Sequence, residues 1–299
     1  MKALITGIYG QDGTYLCKFL KDKGYHVTGL ARKPLECENH SYLGTKPDHV
    51  VFGDVAEQEF VERVIVQETP DEVYNLAAQS HVGVSFNTPL TTMQVNYGGI
   101  VNIINAVKRA DIKTKIYQAG TSEMYGSFVC DSFNEKTPFR PMSPYGVSKV
   151  AAHWAGVNAR TEGIWVSNGI LFNHESPIRG HDFVTRKITL AKGRGEKVSL
   201  GNVDSKRDWG FAGDYVEGMW MMLQHSKPDD FVLATGEVHS VRDFLRQADC
   251  EYEISKSNFR PNDLNYLCGD ASKARDVLGW KPKVGFEELV SMMVERDSK

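Results

Sequence analysis

The sequence has few of the features that mark secreted, membrane-spanning or nucleic-acid-binding proteins. Its five cysteines lie far apart and include no CxxC pair, which excludes a disulfide framework and the usual spacing of zinc ligands. No window contains the ~18 uninterrupted apolar residues that a membrane-spanning helix needs. The net charge of −3 leaves no strong basic field for a phosphate backbone or an anionic membrane. We therefore expect a cytoplasmic chain with no nucleic-acid, membrane or metal partner.

Charged residues are also missing from one long stretch, residues 76–107, which is rich in Asn, Gln, Ser, Thr and Gly. Such a stretch is typical of a chain that lines a cleft, or of an ordinary loop followed by a buried helix. The composition is otherwise that of a globular protein, with 41% hydrophobic and 24% charged residues among 299. This length predicts one large domain or two unequal ones.

The first half of the chain alternates short apolar runs with amphipathic stretches. The runs predict strands at residues 2–6, 26–31, 50–52, 72–75, 114–119 and 164–171. The stretches between them predict helices at 12–23, 56–68, 91–109 and 143–162. Strands separated by helices of this length form βαβ crossovers, so we predict an α/β fold with a doubly wound, Rossmann-type parallel sheet.

The alternation breaks after Phe172. Residues 214–224 predict a helix, residues 231–234 predict a strand that returns to the main sheet, and the tail from residue 241 onward is predicted to be mostly helical. The predicted sheet domain therefore covers residues 1–171 and about 208–235. A smaller, interleaved C-terminal domain covers about 172–207 and 236–299.

Three glycines, Gly7, Gly10 and Gly13, follow the first predicted strand and open the first predicted helix. In this context glycines permit a tight turn and a close approach of a pyrophosphate to the helix N-terminus, so the GxxGxxG spacing predicts a dinucleotide site. At the end of the second strand stands Arg32-Lys33 rather than the carboxylate that would bind the ribose of NAD. This pair favours NADP, unless it is only a solvated basic turn.

A Tyr145-xxx-Lys149 pair lies on the longest predicted helix, one turn apart on one face. A neighbouring ammonium and a nicotinamide cation both favour the phenolate form of a tyrosine, which could then act as a base on a sugar hydroxyl. Thr121 and Glu123 directly follow the predicted strand at 114–119, where the active groups of such sheets lie. Glu123 could remove a carbon-bound proton beside a ketone, or it could be an ordinary helix-start charge.

Several long segments carry a family resemblance, among them ALITGIYGQDGTYL, YNLAAQSHVGVSF, YQAGTSEMYG, RPMSPYGVSK, GILFNHESP and SLGNVDSKRDWGFAGDYVEGMW. On these segments the chain resembles the GDP-mannose 4,6-dehydratase family of extended short-chain dehydrogenases/reductases. The resemblance implies a lyase that converts GDP-mannose to GDP-4-keto-6-deoxy-mannose by internal hydride transfer through tightly bound NADP. The implied catalytic residues are Thr121, Glu123, Tyr145 and Lys149.

The resemblance also implies binding residues. Some of the residues that would bind NADP are also indicated by their position at the ends of predicted strands. The full set implied for NADP is Gly7, Tyr9, Gly10, Gln11, Asp12, Gly13, Arg32, Asp54, Val55, Leu76, Ala77, Ala78, Gln79, Ser80, Tyr145, Lys149, His174 and Arg179. The set implied for the GDP-sugar is Ser80, Ser122, Asn173, Val184, Lys187, Leu200, Gly201, Arg207 and Arg260. In this set the two arginines match family positions that bind the diphosphate.

Several alternatives stay open at this point. The substrate could be GDP-heptose or dTDP-glucose, although dTDP-glucose dehydratases typically carry Asp where this chain has Ser122. The enzyme could be a 4-epimerase or 4-reductase, or the chain could bind NADP without catalysis. A homodimer through the predicted helices at 91–109 and 143–162 is expected, and a tetramer is left open because the loop after Arg32 is shorter than in typical members.

Overall fold

Strands and helices alternate through the first two thirds of the chain in the computed structural model, which describes residues 1–34, 38–259 and 264–299. The strands are β1 (Lys2–Thr6), β2 (His26–Ala31), β3 (His49–Phe52), β4 (Glu72–Asn75), β5 (Lys115–Ala119), β6 (Val166–Leu171), β7 (Asn173–Glu175), β8 (Val198–Leu200), β9 (Lys206–Arg207), β10 (Trp209–Phe211), β11 (Asp230–Leu233), β12 (His239–Ser240), β13 (Tyr252–Ile254) and β14 (Tyr266–Leu267).

The α-helices in these ranges are α1 (Gln11–Asp22), α2 (Glu38–Tyr42), α3 (Gln58–Glu68), α4 (Val82–Ser85), α5 (Pro89–Met93), α6 (Gly99–Ala110), α7 (Pro144–Thr161), α8 (Val184–Arg194), α9 (Ala212–Gln224), α10 (Val241–Gln247) and α11 (Phe286–Asp297). Short 3-10 turns span Ser122–Met124 and Lys256–Asn258, and π-helical turns span Gln94–Gly98 and Ala274–Leu278.

Seven of the described strands form one parallel sheet in the order β3-β2-β1-β4-β5-β6-β11. The chain builds outward from β1 to β3 and then restarts on the other side of β1 with β4. The order therefore reverses between β1 and β4, and in such sheets the ligand crevice lies at this point, beyond the carboxyl ends of the strands. The predicted α/β, doubly wound fold class is confirmed.

Both faces of the sheet are covered by helices, because the strands are apolar on both sides. On one face α1 and α9 contribute Leu16, Leu20 and Met219 to a buried cluster. On the other face α3, α6 and α7 pack together, with Val64 and Ile103 among their buried side chains. Helices on both faces hold the strand ends rigidly, which is what a site built on those ends requires.

The smaller sheets come from the second half of the chain. β7 pairs with β10, β8 pairs with β13, and β9 lies between β12 and β14. A separate core supports them and includes Trp209, Phe244, Phe286 and Leu289. The chain leaves the main sheet after β6 and returns at β11, which the sequence pattern predicted. The proposed domain boundaries themselves stay a prediction.

The structure adds detail to two sequence-based expectations about local structure. The described part of the tail from residue 241 contains α10, α11 and two short helical turns, and also the short strands β13 and β14. The helix predicted at 91–109 is present as a continuous helical run in which α5, the π-helical turn Gln94–Gly98 and α6 follow one another directly. Among the described residues, no helix is both long and apolar enough to span a membrane.

Candidate active site

A cleft of about 770 Å³ lies over the carboxyl ends of the central strands, between the main sheet and the smaller sheets. It brings together all four predicted catalytic residues and most of the predicted binding residues. Its lining includes Gly7, Gly10, Gln11, Asp12, Gly13, Leu76, Ala78, Ser80, Thr121, Ser122, Glu123, Tyr145, Lys149, Asn173, His174, Arg179, Val184, Lys187, Leu200, Gly201 and Arg207.

Six predicted cofactor residues do not line this cleft. Tyr9 packs edge-on against His40, with 5.9 Å between the ring centroids, and Arg32 is exposed just after β2. The side chain of Gln79 donates to Oγ1 of Thr92 at 3.2 Å. The remaining three are Asp54, Val55 and Ala77. The roles of all six stay predictions, and the predicted substrate residue Arg260 lies outside the described residues.

The glycine-rich loop shapes the start of α1 as an anion cradle. Gly10 is the N-cap residue of α1, and no side chain caps the first-turn N–H groups. Such N–H groups, at the positive end of the helix dipole, bind phosphate oxygens. Gly13 packs so tightly that a Cβ there would lie 2.4 Å from the carbonyl oxygen of Gly7. The loop backbone is therefore as compact as the diphosphate of a dinucleotide requires.

Thr121 and Glu123 occupy the short turn after β5. The Thr121 hydroxyl accepts a hydrogen bond from the Glu123 N–H at 3.3 Å and so caps this turn. α7 approaches the turn closely, because a Cβ on Gly146 would lie only 2.9 Å from the carbonyl oxygen of Glu123. Ser143 caps α7 by accepting from the Gly146 N–H at 3.0 Å. The cap and the glycine together bring Tyr145 beside Thr121 and Glu123.

Tyr145 and Lys149 are both buried, and burial dominates their acidity. Burial raises the pKa of Tyr145 to about 12, although a hydrogen bond with Thr121 opposes the rise. Burial lowers the pKa of Lys149 to about 8, against the attraction of Asp12, and Nζ of Lys149 donates to the carbonyl oxygen of Ala119 at 2.9 Å.

The expectation that Lys149 favours the phenolate of Tyr145 stays a prediction. The lysine Nζ lies 5.9 Å from the centroid of the tyrosine ring and is directed at a backbone carbonyl. Desolvation of the phenol outweighs any stabilisation of its anion. An additional positive charge is needed before Tyr145 can act as a base near neutral pH.

The wall of the cleft just before α8 contains a stacked arginine. The guanidinium of Arg179 lies 3.5 Å from the ring centroid of Phe183, and its Nε is 3.0 Å from a carboxylate oxygen of Glu175. The Phe183 ring in turn lies 6.0 Å, centroid to centroid, from the ring of His81. Because His81 follows β4 and Phe183 precedes α8, the two sides of the cleft meet at this contact.

Arg207 reaches the cleft from β9 beside a fully buried carboxylate. Asp208 accepts hydrogen bonds from the N–H groups of Thr235 (2.8 Å), Gly236 (2.9 Å) and Gly269 (3.2 Å). These bonds anchor β9 and β10 to the segments that follow β11 and β14. Asp208 therefore fixes the backbone from which Arg207 projects.

Sequence reasoning missed several residues that shape the site, among them His81, Phe183 and Asn96. His81 and Phe183 line the cleft but were not predicted to. Asn96, buried in the π-helical turn, accepts from the N–H of Gln79 at 2.8 Å and donates to the hydroxyl of Ser148 at 2.9 Å. It thus ties the loop after β4 to α7. The uncharged stretch at 76–107 was the available signal for His81 and Asn96.

The fold and the site together define an enzyme of the extended short-chain dehydrogenase/reductase class. A family-wide sequence profile described as GDP-mannose 4,6 dehydratase matches residues 4–293. The chain belongs to the GDP-mannose 4,6-dehydratase family. This confirms the resemblance inferred from the sequence, and the protein is accordingly an enzyme of the dehydratase type, a lyase.

Individual relatives agree with this assignment. GDP-mannose 4,6 dehydratase 1 of Arabidopsis thaliana is 50% identical over 99% of this chain and 89% of its own length. GDP-mannose 4,6 dehydratase of Homo sapiens is 43% identical over 99% of this chain and 91% of its own. The UDP-glucose 4-epimerase of Thermus thermophilus, solved in complex with NAD, superposes with a TM-score of 0.89 at 27% identity, covering 99% of this chain and 98% of its own.

The relatives are longer in places than this chain. The alignment with the human protein extends over 338 positions, whereas the present chain has 299 residues. The difference agrees with the shortened loops inferred from the sequence.

Proposed function

We propose that the protein dehydrates GDP-mannose to GDP-4-keto-6-deoxy-mannose with NADP as a tightly bound cofactor. The observation that carries the proposal is the position of Glu123 beside Tyr145 in one cleft, with Gly146 packed on the Glu123 backbone. An epimerase or reductase that acts only at a sugar 4-hydroxyl needs the phenol but no neighbouring carboxylate. A 4,6-dehydratase needs a second group that removes a carbon-bound proton.

Each residue then has a distinct task. Tyr145 takes the proton of the sugar 4-hydroxyl, and its hydrogen bond with Thr121 steadies the developing anion. Bound NADP supplies reversible two-electron redox chemistry at the sugar and, when oxidised, a positive charge that favours the phenolate. Once C4 is a ketone the proton on C5 is acidic. Glu123 would remove this proton and pass it to the departing C6 hydroxyl, which leaves as water, and a proton from solvent would later return to C5 through Glu123. Lys149 helps to position Tyr145 from its bond to Ala119.

The cofactor-binding proposal is supported by the cradle at the start of α1. His174 and Arg179 add positive charge close to this cradle, and both line the cleft. The preference for NADP over NAD is supported by Arg32, which follows β2 where a 2′-phosphate would be bound. For the nucleotide sugar, we propose Arg207 as the diphosphate ligand, because a guanidinium binds phosphate in a bidentate manner.

A product assay in deuterated water tests the proposed reaction. Purified protein with NADP and GDP-mannose should form a 4-keto-6-deoxy product that carries one solvent deuterium at C5, because Glu123 exchanges its proton with solvent. Parallel incubations with GDP-heptose and dTDP-glucose identify the preferred sugar. A product that lacks the label, a mere change of configuration at C4, or NADP binding without any turnover would contradict the proposal.

We also propose that the chain forms a homodimer through the faces of α5 and α7. Leu90 on α5 is 79% exposed and Trp154 on α7 is 52% exposed, and Val147 shares the face of α7 with Trp154 at a spacing of seven residues. Exposed apolar side chains on packed helices are typical of interfaces. In sedimentation velocity, Trp154→Glu should convert dimer to monomer, whereas Val129→Glu at an exposed loop site should not. A monomeric wild type would contradict this proposal.

The tetramer and the cytoplasmic location stay predictions from the sequence.

A further inference from the structure

The imidazole of His174 is held between two hydrogen-bond acceptors. Its Nδ1 lies 2.8 Å from the carbonyl oxygen of Phe172, and its Nε2 lies 2.9 Å from a carboxylate oxygen of Asp12. A carbonyl oxygen and an ionised carboxylate can only accept. Both ring nitrogens must therefore carry hydrogen for both contacts to be hydrogen bonds, which makes the ring an imidazolium.

The surroundings support this charge state. Asp12 lies in the first turn of α1, next to the positive end of the helix dipole. Burial alone would raise the pKa of Asp12, but the charge and hydrogen bond of His174, together with Gln11 and Arg179, lower it to about 2. One face of the His174 ring is covered by Tyr215, with 4.6 Å between centroids and 20° between planes. An aromatic face attracts a cation.

A second pair of contacts reinforces the same connection between α1 and β7. Gln11 donates from Nε2 to the carbonyl oxygen of His174 at 3.1 Å, and its Oε1 accepts from the hydroxyl of Ser176 at 2.8 Å. The side chains of Gln11 and Asp12 thus clamp the glycine-rich loop to the strand that carries His174. They were predicted as cofactor ligands, yet their polar atoms are engaged with the protein.

We propose that Asp12 is a positioning residue that keeps His174 protonated at the cofactor half of the cleft, so that affinity for an anionic dinucleotide falls when His174 loses its proton. The proposal rests on the proposed binding of NADP. Below the pKa of His174 the Asp12–His174 pair carries no net charge. Above that pKa the pair becomes a net anion beside the phosphate cradle.

Other charged and titratable groups act on the pair from each packed element. Arg179, in the loop before α8, lowers the pKa of His174, and Glu175 on β7 pairs with that arginine. Lys149 and Tyr145 on α7 and Tyr117 on β5 interact electrostatically with Asp12.

The net effect of these groups is to raise the pKa of His174. Burial lowers its pKa, but the charge of Asp12 and the bonds to Asp12 and Phe172 raise it above the ordinary value. The cationic form is therefore lost only as the pH rises through this raised pKa, which predicts weaker NADP binding on the alkaline side.

The charge state can be measured without the cofactor. In protein labelled with 15N at histidine, the His174 signals, assigned by their loss in His174→Gln, should show both ring nitrogens protonated at neutral pH. A wild-type ring with a single protonated nitrogen at neutral pH would overturn the proposal, whether or not the protein binds NADP.

The functional consequence is tested with Asp12→Asn, and Asp22→Asn at the exposed end of the same helix is the matched control. NADP titrations from about pH 6 to 10 span the histidine range. Asp12→Asn should move the pH midpoint of NADP affinity to lower pH, because a neutral amide no longer favours the protonated form of His174, whereas Asp22→Asn should match the wild type.

If Asp12→Asn is folded by circular dichroism and the pH midpoint of its NADP affinity equals that of the wild type, the proposed role of Asp12 as a positioning residue is overturned. A wild type that binds no NADP at any pH would instead refute the proposed function, and the NMR measurement would still decide the charge of His174. If Asp12→Asn does not fold, the NMR titration of the wild type alone decides whether His174 stays protonated above its ordinary pKa.

Discussion

A buried ion pair at the end of α11 supports the loop that carries Arg179. Asp297, at the end of α11, lies 2.7 Å from Nε of Arg186 and accepts from the hydroxyl of Thr189 at 2.6 Å. Both charged side chains are buried, with 4% and 8% of their surface exposed. Arg186 also donates to the carbonyl oxygens of Pro177 and Arg179, in the loop that carries the Arg179 guanidinium.

Asp297→Asn removes the charge and almost none of the volume. The guanidinium is then buried without a counter-charge, and breaking a buried ion pair on one side costs about 3–5 kcal/mol. The amide oxygen of Asn can still accept from Thr189, so we expect the lower end, about 3 kcal/mol. In a domain of this size each kcal/mol lowers Tm by about 2–4 °C, which predicts a decrease of about 6–12 °C.

The assay is thermal unfolding followed by circular dichroism, with and without NADP. Glu295→Gln is the control, because this side chain lies on the same helix but is 71% exposed and paired only with Lys299. A surface change of this kind stays within about 0.5 kcal/mol. An Asp297→Asn protein that melts within about 1 °C of the wild type would refute the reasoning, since a buried arginine cannot lose its only described acidic partner without cost.

Three further predictions concern the cleft. Tyr145→Phe and Glu123→Gln should each lower kcat at least ~100-fold, in line with general acid–base catalysis; wild-type turnover in either variant would contradict its assigned task. Gly146→Ala should lower kcat at least ~10-fold, because its Cβ would lie 2.9 Å from the Glu123 carbonyl oxygen and push α7 away. Gly98→Ala, which meets nothing within 4 Å, is its control. In fluorescence titrations Arg32→Ala should weaken the affinity for NADP about tenfold and leave the affinity for NAD unchanged. Equal losses of affinity for the two dinucleotides would argue against a 2′-phosphate contact.

Much of the main sheet could be predicted because its signals are local and repetitive. The strands β1, β2 and β4 begin and end at the predicted residues, and α1 is displaced by a single residue. The glycine-rich loop and the Tyr145-xxx-Lys149 pair lie where the strand-turn-helix pattern predicted. The carboxyl ends of parallel strands all lie at one edge of the sheet. The residues that directly follow β1, β4 and β5 are therefore expected to lie close together in one cleft.

The rest could not be predicted because it depends on contacts between distant segments. The strands β13 and β14 contain three and two residues, which is too few for an alternation of apolar and polar side chains to be recognised. The π-helical turn at Asn96 lies where its side chain bonds to Gln79 and Ser148, partners that no local pattern reveals. The pKa of Tyr145 follows from burial, which depends on the completed fold rather than on the neighbouring lysine.

The return of the chain to the main sheet at β11 has a consequence for biosynthesis. Asn168 of β6 and Asp230 of β11 are paired neighbours although 62 positions separate them. At translation rates of about 5–20 residues per second, roughly 3–12 s pass between the synthesis of these two strands. During that time β6, whose six residues are all buried in the finished protein, presents an open edge. Ribosome stalling in this interval should therefore leave nascent chains prone to edge-to-edge aggregation.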